Sequence, residues 1–149
     1  EAAKRNKQIT WLVGTNRQPP VAPDSVDIIL CVFGFQSFDG FNKVLKTGGK
    51  VILAEPGPDH LKELRAILYP DVRKSGPPDI SYAEDLGFFM LDRQQLQFST
   101  GVINKAQINN LLVMTPHLYR ATQAGREAAA SLQALELTVD VVFRLLEKK

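Results

Sequence analysis

Lys46-Thr47-Gly48-Gly49-Lys50-Val51-Ile52-Leu53-Ala54-Glu55-Pro56-Gly57-Pro58-Asp59-His60-Leu61 ends one helix, forms a strand and opens a second helix. The rest of the chain is arranged around it. Gly48 and Gly49 accept the positive φ that closes a helix near Lys46. Val51-Ile52-Leu53-Ala54 is a short apolar run suited to a strand covered on both faces. Pro56 and Pro58 around Gly57 then force a tight turn poor in hydrogen bonds at the strand's carboxyl end, where open α/β sheets bind their ligands. His60 falls in the first turn of the helix expected over residues 60–69, whose Leu61, Leu64 and Leu68 share one face.

Upstream, Ile9-Thr10-Trp11-Leu12-Val13 is β-branched and aromatic and stops at Gly14, so it predicts a strand with Thr15 and Asn16 at its carboxyl end. The three prolines between Gln18 and Ser25 predict a surface loop. Val26 to Phe33 is a nearly continuous apolar run, the pattern of a central parallel strand, and Phe41, Val44 and Leu45 place a short helix between it and Lys50. Cys31 and Trp11 read as packing residues. Downstream, residues 71–85 form a long polar connection and Leu96-Gln97-Phe98 a strand. Asn104 can cap a helix carrying Ile108, Leu111 and Leu112, which Met114-Thr115-Pro116 breaks, and an alanine-rich helix follows over residues 123–133. The tail alternates: Leu135, Leu137, Val139, Val141, Phe143 and Leu145 take one side, Glu136, Thr138, Asp140 and Arg144 the other. Period two predicts an antiparallel or edge strand.

A chain of 149 residues holds one domain with a real core. Its net charge of +2 argues for no strongly basic surface, so an RNA partner requires locally concentrated charge. Cys31 is the lone cysteine, which excludes a disulfide framework or a cysteine zinc site and fits a reducing, cytoplasmic setting. No apolar run approaches the roughly 20 residues of a membrane span, so a soluble protein with no membrane partner is expected. The opening Glu1-Ala2-Ala3-Lys4-Arg5 lacks an initiating Met and reads as the middle or end of a helix, the mark of a fragment.

Four pieces together carry a resemblance to the 23S rRNA guanine-N1 methyltransferases, within the class I S-adenosylmethionine-dependent methyltransferases. They are Ala2-Ala3-Lys4-Arg5 through Val13, the Lys46-Thr47-Gly48-Gly49 turn, Pro56-Gly57-Pro58-Asp59-His60-Leu61-Lys62-Glu63-Leu64, and Leu111-Leu112-Val113-Met114-Thr115-Pro116. The Lys-x-Gly-Gly turn is generic to class I enzymes; the Pro-Gly-Pro-x-His-Leu element with a later Met-Thr-Pro is far more specific. The resemblance implies an α/β, Rossmann-like sheet of order 3-2-1-4-5-7-6 with an antiparallel last strand, of which residues 1–149 would supply strands 3 to 7 as a single partial methyltransferase domain. It implies that the first two strands, the Gly-rich cofactor loop and a zinc-binding N-terminal module lie outside this chain, so zinc is expected only there. Such a chain alone would bind the cofactor weakly and, with strand edges left unpaired, would self-associate.

By the same resemblance, S-adenosylmethionine would be held by Thr15, Asn16, Phe33 and His60, and Thr115 and Pro116 would border the RNA base. No catalytic base is assigned and no metal ligand is found. Other readings stay open: a turn accounts for Thr15 and Asn16, core packing for Phe33, a helix start for His60, and a helix-ending turn for Thr115 and Pro116. After the central strand, Phe33-Gly34-Phe35-Gln36-Ser37 stands where the family shows a short proline-containing turn. Arg65, Arg73, Lys74 and Arg120 could meet phosphates or serve as scattered surface charge. The reaction implied is methyl transfer to a guanine ring nitrogen of 23S rRNA. The alternatives are a small-molecule methyltransferase of the same fold and a non-catalytic binding or assembly domain.

Overall fold

The two apolar runs pair as parallel neighbours. In a computed structural model describing residues 2–72, 76–115 and 117–149, β1 (Val26–Val32) lies beside β2 (Leu45–Pro56), with Ile28 opposite Lys50, Leu30 opposite Ile52 and Val32 opposite Ala54. Their crossover is α2 (Phe38–Val44), which follows a short opening helix, α1 (Ala2–Arg5). Gly48 has the positive φ expected of it, at 77°, but inside β2: the helix ends at Val44 and the chain turns extended from Leu45.

After β2 come α3 (Lys62–Leu68), α4 (Tyr82–Asp85), β3 (Phe88–Asn104), α5 (Lys105–Met114), α6 (His117–Arg120), α7 (Gln123–Ser131) and β4 (Ala134–Lys148). The sheet order is β1-β2-β4-β3. β4 runs against β2, since Lys50 pairs with Glu147 at 3.0 Å while the Gly57 N–H reaches the Asp140 carbonyl at 2.8 Å. β3 runs against β4, with Ser99 bonded to Glu136 and Gln95 to Asp140. This is the 4-5-7-6 portion of the expected order. Asn104 caps α5 as the sequence predicts, in a reciprocal box with Gln107 at 3.0 and 2.9 Å.

The chain divides into two compact units. The first (Glu1–Ala54, Asp79–Arg93 and Arg144–Lys149) has a core around Phe38, whose ring meets Phe41, Tyr82 and Phe88 edge-on or tilted at 5.1–5.7 Å, with Cys31, Leu45, Leu53 and Leu146. Lys148 seals it, its ammonium donating to the Asn42 and Leu45 carbonyls at 2.6 Å, at the end of α2. The second (Glu55–Pro78 and Gln94–Phe143) buries Leu61, Leu64 and Leu68 against Ile108, Leu112 and Leu137. Gly125 lets α7 lie against α3: a Cβ there would be 2.4 Å from the Leu68 carbonyl oxygen.

Four expectations are corrected. Residues 9–13 form no strand; Trp11 stays 47% exposed and its ring N–H donates to the Asn6 carbonyl rather than packing. Among the described residues no strand lies beside that stretch, and β-propensity without a ladder partner does not make a strand. The helix after the Pro-Gly-Pro turn starts at Lys62, not His60, because Leu61 takes a left-handed φ of 52°. β3 spans 17 residues where only Leu96–Phe98 was expected. Finally, of the two alternatives for the tail the antiparallel one holds and the edge one does not: β4 is interior, with Asp140 and Arg144 buried while Phe143 is exposed.

Candidate functional site

The Pro56-Gly57-Pro58-Asp59-His60 turn is the best-built ligand-edge feature of the second unit. Pro56 and Pro58 have no N–H to satisfy. Each remaining N–H has a partner: Gly57 gives to the Asp140 carbonyl at 2.8 Å, His60 to the Gly57 carbonyl at 3.1 Å, Leu61 to the Thr138 carbonyl at 2.8 Å and Lys62 to the Asp59 carbonyl at 3.2 Å. The Asp59 N–H donates to the Asp140 carboxylate at 2.9 Å. The turn is therefore rich in hydrogen bonds, contrary to the sequence expectation, because β4 supplies the acceptors that a two-proline turn cannot supply for itself. Arg65 reaches back from α3 to the Pro58 carbonyl at 2.6 Å, and Glu63 accepts from the Thr138 N–H and hydroxyl at 2.8 and 2.6 Å.

Glycine at 57 is a matter of space. A Cβ there would sit 2.3 Å from the Asp140 carboxylate, so any side chain would evict it. The other Asp140 oxygen accepts from the Gln95 amide at 2.7 Å.

His60 is half-buried, and its Nδ1 accepts from the Asp140 N–H at 3.3 Å. The neutral ring then carries its proton on Nε2. Burial holds its pKa below the ordinary histidine value, with Arg65 acting in the same direction; the Asp140 charge pulls the other way without overcoming it. Around Glu63, burial opposes ionisation, but the Thr138 hydrogen bonds, its own N–H and nearby Lys62 outweigh it and lower the pKa.

In the first unit, Phe33 follows β1 with a left-handed φ of 48°, donates its N–H to the Ala54 carbonyl at 2.9 Å and leaves its ring 53% exposed, so it is not core. A bulky residue held at positive φ on the ligand edge is a mark of functional sites. Asn16 donates its amide to the Phe35 carbonyl at 2.6 Å, and the Arg17 guanidinium lies 5.4 Å from the Phe35 ring, so the opening segment is tied to the loop after β1. Thr15 turns on itself: its carbonyl accepts from Gln18 and its hydroxyl from the Arg17 N–H at 3.3 Å. Asn16 and Phe33 thus share one loop region, joined through the residues between Phe33 and Phe35.

Thr115 ends α5, donating its N–H to the Leu111 carbonyl at 3.1 Å, and its buried hydroxyl oxygen meets no hydrogen-bond partner among the described residues. Pro116, Arg73 and Lys74 lie outside the described residues. Arg120 is exposed, and Arg65 is occupied within the turn. Among the described residues no group of three or more His, Cys, Asp or Glu could hold a metal, and no helix is long and apolar enough to cross a membrane.

Sequence reasoning missed Asp140, Thr138 and Gln95. One signal was available for Asp140: a carboxylate set inside Val139-Asp140-Val141-Val142 needs buried partners.

No family model matches the chain. It is 25% identical over 142 residues to a Bacillus subtilis (strain 168) protein named "Putative 23S rRNA (guanine-N(1)-)-methyltransferase YxjB", covering 95% of this chain and 50% of that one. The chain thus spans half the length of this curated relative. Among solved structures it is similar to one reported under "Conversion of a Disulfide Bond into a Thioacetal Group during Echinomycin Biosynthesis" (TM-score 0.53, 9% identity, 99% of this chain and 60% of that one). It is also similar to a "putative methyltransferase (BH2331)" of Bacillus halodurans C-125 (TM-score 0.49, 13% identity, 91% and 69%). With two parallel strands followed by an interior antiparallel β4 and an edge β3, the chain has the α/β, mixed and open sheet of a Rossmann-like class I methyltransferase.

Proposed function

We propose that this chain forms part of an S-adenosylmethionine-dependent methyltransferase that modifies a guanine ring nitrogen of 23S rRNA. The observation that carries this is the likeness to the Bacillus subtilis relative, which extends over 95% of the chain. The His60 turn adds support, since its bonds hold a half-buried, neutral imidazole on the ligand edge of a class I sheet. A charged imidazole beside a sulfonium in a poorly solvated cleft would be repelled, so a histidine kept neutral fits the cofactor. The bound cofactor would supply an already electrophilic methyl group.

In this reading His60, Phe33, Asn16 and Thr15 hold the cofactor: His60 as an Nε2–H donor, Phe33 through its exposed ring, Asn16 and Thr15 at the carboxyl side of the opening segment. Thr115 and Pro116 border the base, and a target within paired RNA has to be unstacked to reach them. Enzymes of this kind act mainly by positioning and by removing the ring proton. The partner is 23S rRNA, the setting is cytoplasmic, and copies of the chain associate through the edge of β1, where Ile28, Leu30 and Val32 are exposed.

The test is transfer of a labelled methyl group from S-adenosylmethionine to 23S rRNA by the whole gene product, mapped by primer extension. A methyl group on N1 blocks Watson–Crick pairing, so a new stop one nucleotide before a guanine is expected. Labelling of small molecules with no stop in the RNA would overturn the substrate, and no cofactor-dependent labelling at all would overturn the enzyme.

A further inference from the structure

Asp140 of β4 bonds the Pro-Gly-Pro-Asp-His turn through three different atoms and β3 through a fourth. Its carbonyl takes the Gly57 N–H, one carboxylate oxygen takes the Asp59 N–H, the other is held by Gln95, and its own N–H reaches His60 Nδ1. The side chain is fully buried. A buried carboxylate whose oxygens both accept hydrogen bonds is a fixed object, and the turn rests on it at the place where Gly57 leaves room for it and nothing else.

We propose that Asp140 is a positioning residue for His60: by holding the turn's main chain with its carboxylate and the imidazole with its N–H, it presents His60 as an Nε2–H donor of fixed orientation. The inference deepens the methyltransferase reading and rests on it for what the donor is used for. It does not rest on it for the state of the ring. Thr138 and Glu63 make a second tie two residues away, which secures the start of α3 without touching the imidazole, so the two ties are separable by substitution.

The groups that bear on the ring are Asp140 from β4 and Arg65 from α3. Replacing Asp140 by Asn keeps the shape and, with the Gln95 amide turned over, keeps both side-chain hydrogen bonds while removing the charge. Replacing it by Ala removes the support altogether. Gly57→Ala leaves Asp140 in the sequence but puts a methyl group where its carboxylate lies.

The test is nitrogen NMR of the two histidines in the 149-residue chain, His117→Gln assigning them, alongside calorimetric titration with S-adenosylhomocysteine. Expected is an Nε2–H tautomer at His60 in the parent chain, kept in Asp140→Asn with a lower titration midpoint, and replaced by mixed tautomers in Asp140→Ala and Gly57→Ala. Thr138→Val should leave the tautomer unchanged. Affinity, where measurable, should fall about tenfold in Asp140→Ala, the size of one lost hydrogen bond, and recover in Asp140→Asn. An Nδ1–H tautomer in the parent chain, or an unchanged ring in Gly57→Ala and Asp140→Ala, would overturn the proposal. Should Asp140→Ala fail to fold, Gly57→Ala and Asp140→Asn decide it. The expected ring states in a gene product that binds no S-adenosylhomocysteine would support Asp140's role and count against the proposed function instead.

Discussion

Ile9-Thr10-Trp11-Leu12-Val13 and Val51-Ile52-Leu53-Ala54 have the same kind of composition, β-branched and apolar, yet only the second is a strand. Val51–Ala54 has β1 on one side and β4 on the other, and every second side chain faces a core. Residues 9–13 have neither ladder nor core, and Ile9, Leu12 and Val13 all stay exposed. The difference teaches that an apolar, β-branched run states a capacity to pair, and that neighbours decide whether it is used. What ties the opening segment down is polar instead: the Asn16 amide on the Phe35 carbonyl, 19 residues away, and the Arg17 guanidinium over the Phe35 ring.

The widest gap between the two regions is expected from truncating their leucines. Leu53→Ala empties a fully buried site and should cost about 2–5 kcal/mol in denaturant melts. A loss under about 1 kcal/mol would mean that β2 is far less closely packed than its burial indicates.

The next effect attacks the attachment of the opening segment. Gly40 in α2 has no room for a methyl group, because a Cβ there would lie 1.8 Å from the Asn16 carbonyl oxygen. Gly40→Ala should therefore lift residues 15–17 off α2, at about 1–3 kcal/mol, and speed proteolysis around Arg17. Unchanged cleavage would show that the segment is not seated there.

A smaller effect separates the regions by pH. His60 has a folded pKa below its unfolded value of 6.5, so between the two the unfolded chain binds a proton that the native state lacks; stability falls as pH drops from 6.5 to the folded pKa, and no further below it. Glu63, also lowered, contributes stability that is complete above its unfolded value of 4.5 and is lost as pH falls through the folded pKa. His60→Gln should flatten the upper part of the acid limb and Glu63→Gln the lower, in urea melts across the acid range. Acid limbs identical to that of the parent chain would remove the 60–63 turn from the titration.

The smallest effect closes the comparison: Leu12→Ala, on an exposed residue without a ladder, should change stability by less than about 0.5 kcal/mol in the same melts. A loss of core size would mean that residues 9–13 are packed in solution.

The parallel pair was legible because a strand covered on both faces is apolar at consecutive positions, as Val26–Val32 and Val51–Ala54 are. The α5 start was legible because Asn104 and Gln107 form a local motif that needs no distant partner. His60 was legible as a candidate through the motif around it. Asp140 was not, because its meaning lies in an Asp59 N–H 81 residues away along the chain, and alternation alone said only that it points away from the apolar side. The exposure of Phe33, which decides against the core alternative, was not legible for a related reason: its strand continues as an apolar run, and nothing local announces the left-handed φ that turns its ring out.

Cys31, at the end of β1, is the lone thiol of the chain and lies inside the Phe38 core of the first unit. Buried among apolar groups, a thiol reacts with alkylating or disulfide reagents only while the surrounding structure is open. The protein thus carries its own clock for breathing of that unit: the rate of Cys31 modification counts openings of the β1 edge, with no label or substitution added. Anything that fastens the opening segment or lies along that edge, whether RNA, cofactor or a second copy, should register as a slower reaction at one sulfur atom.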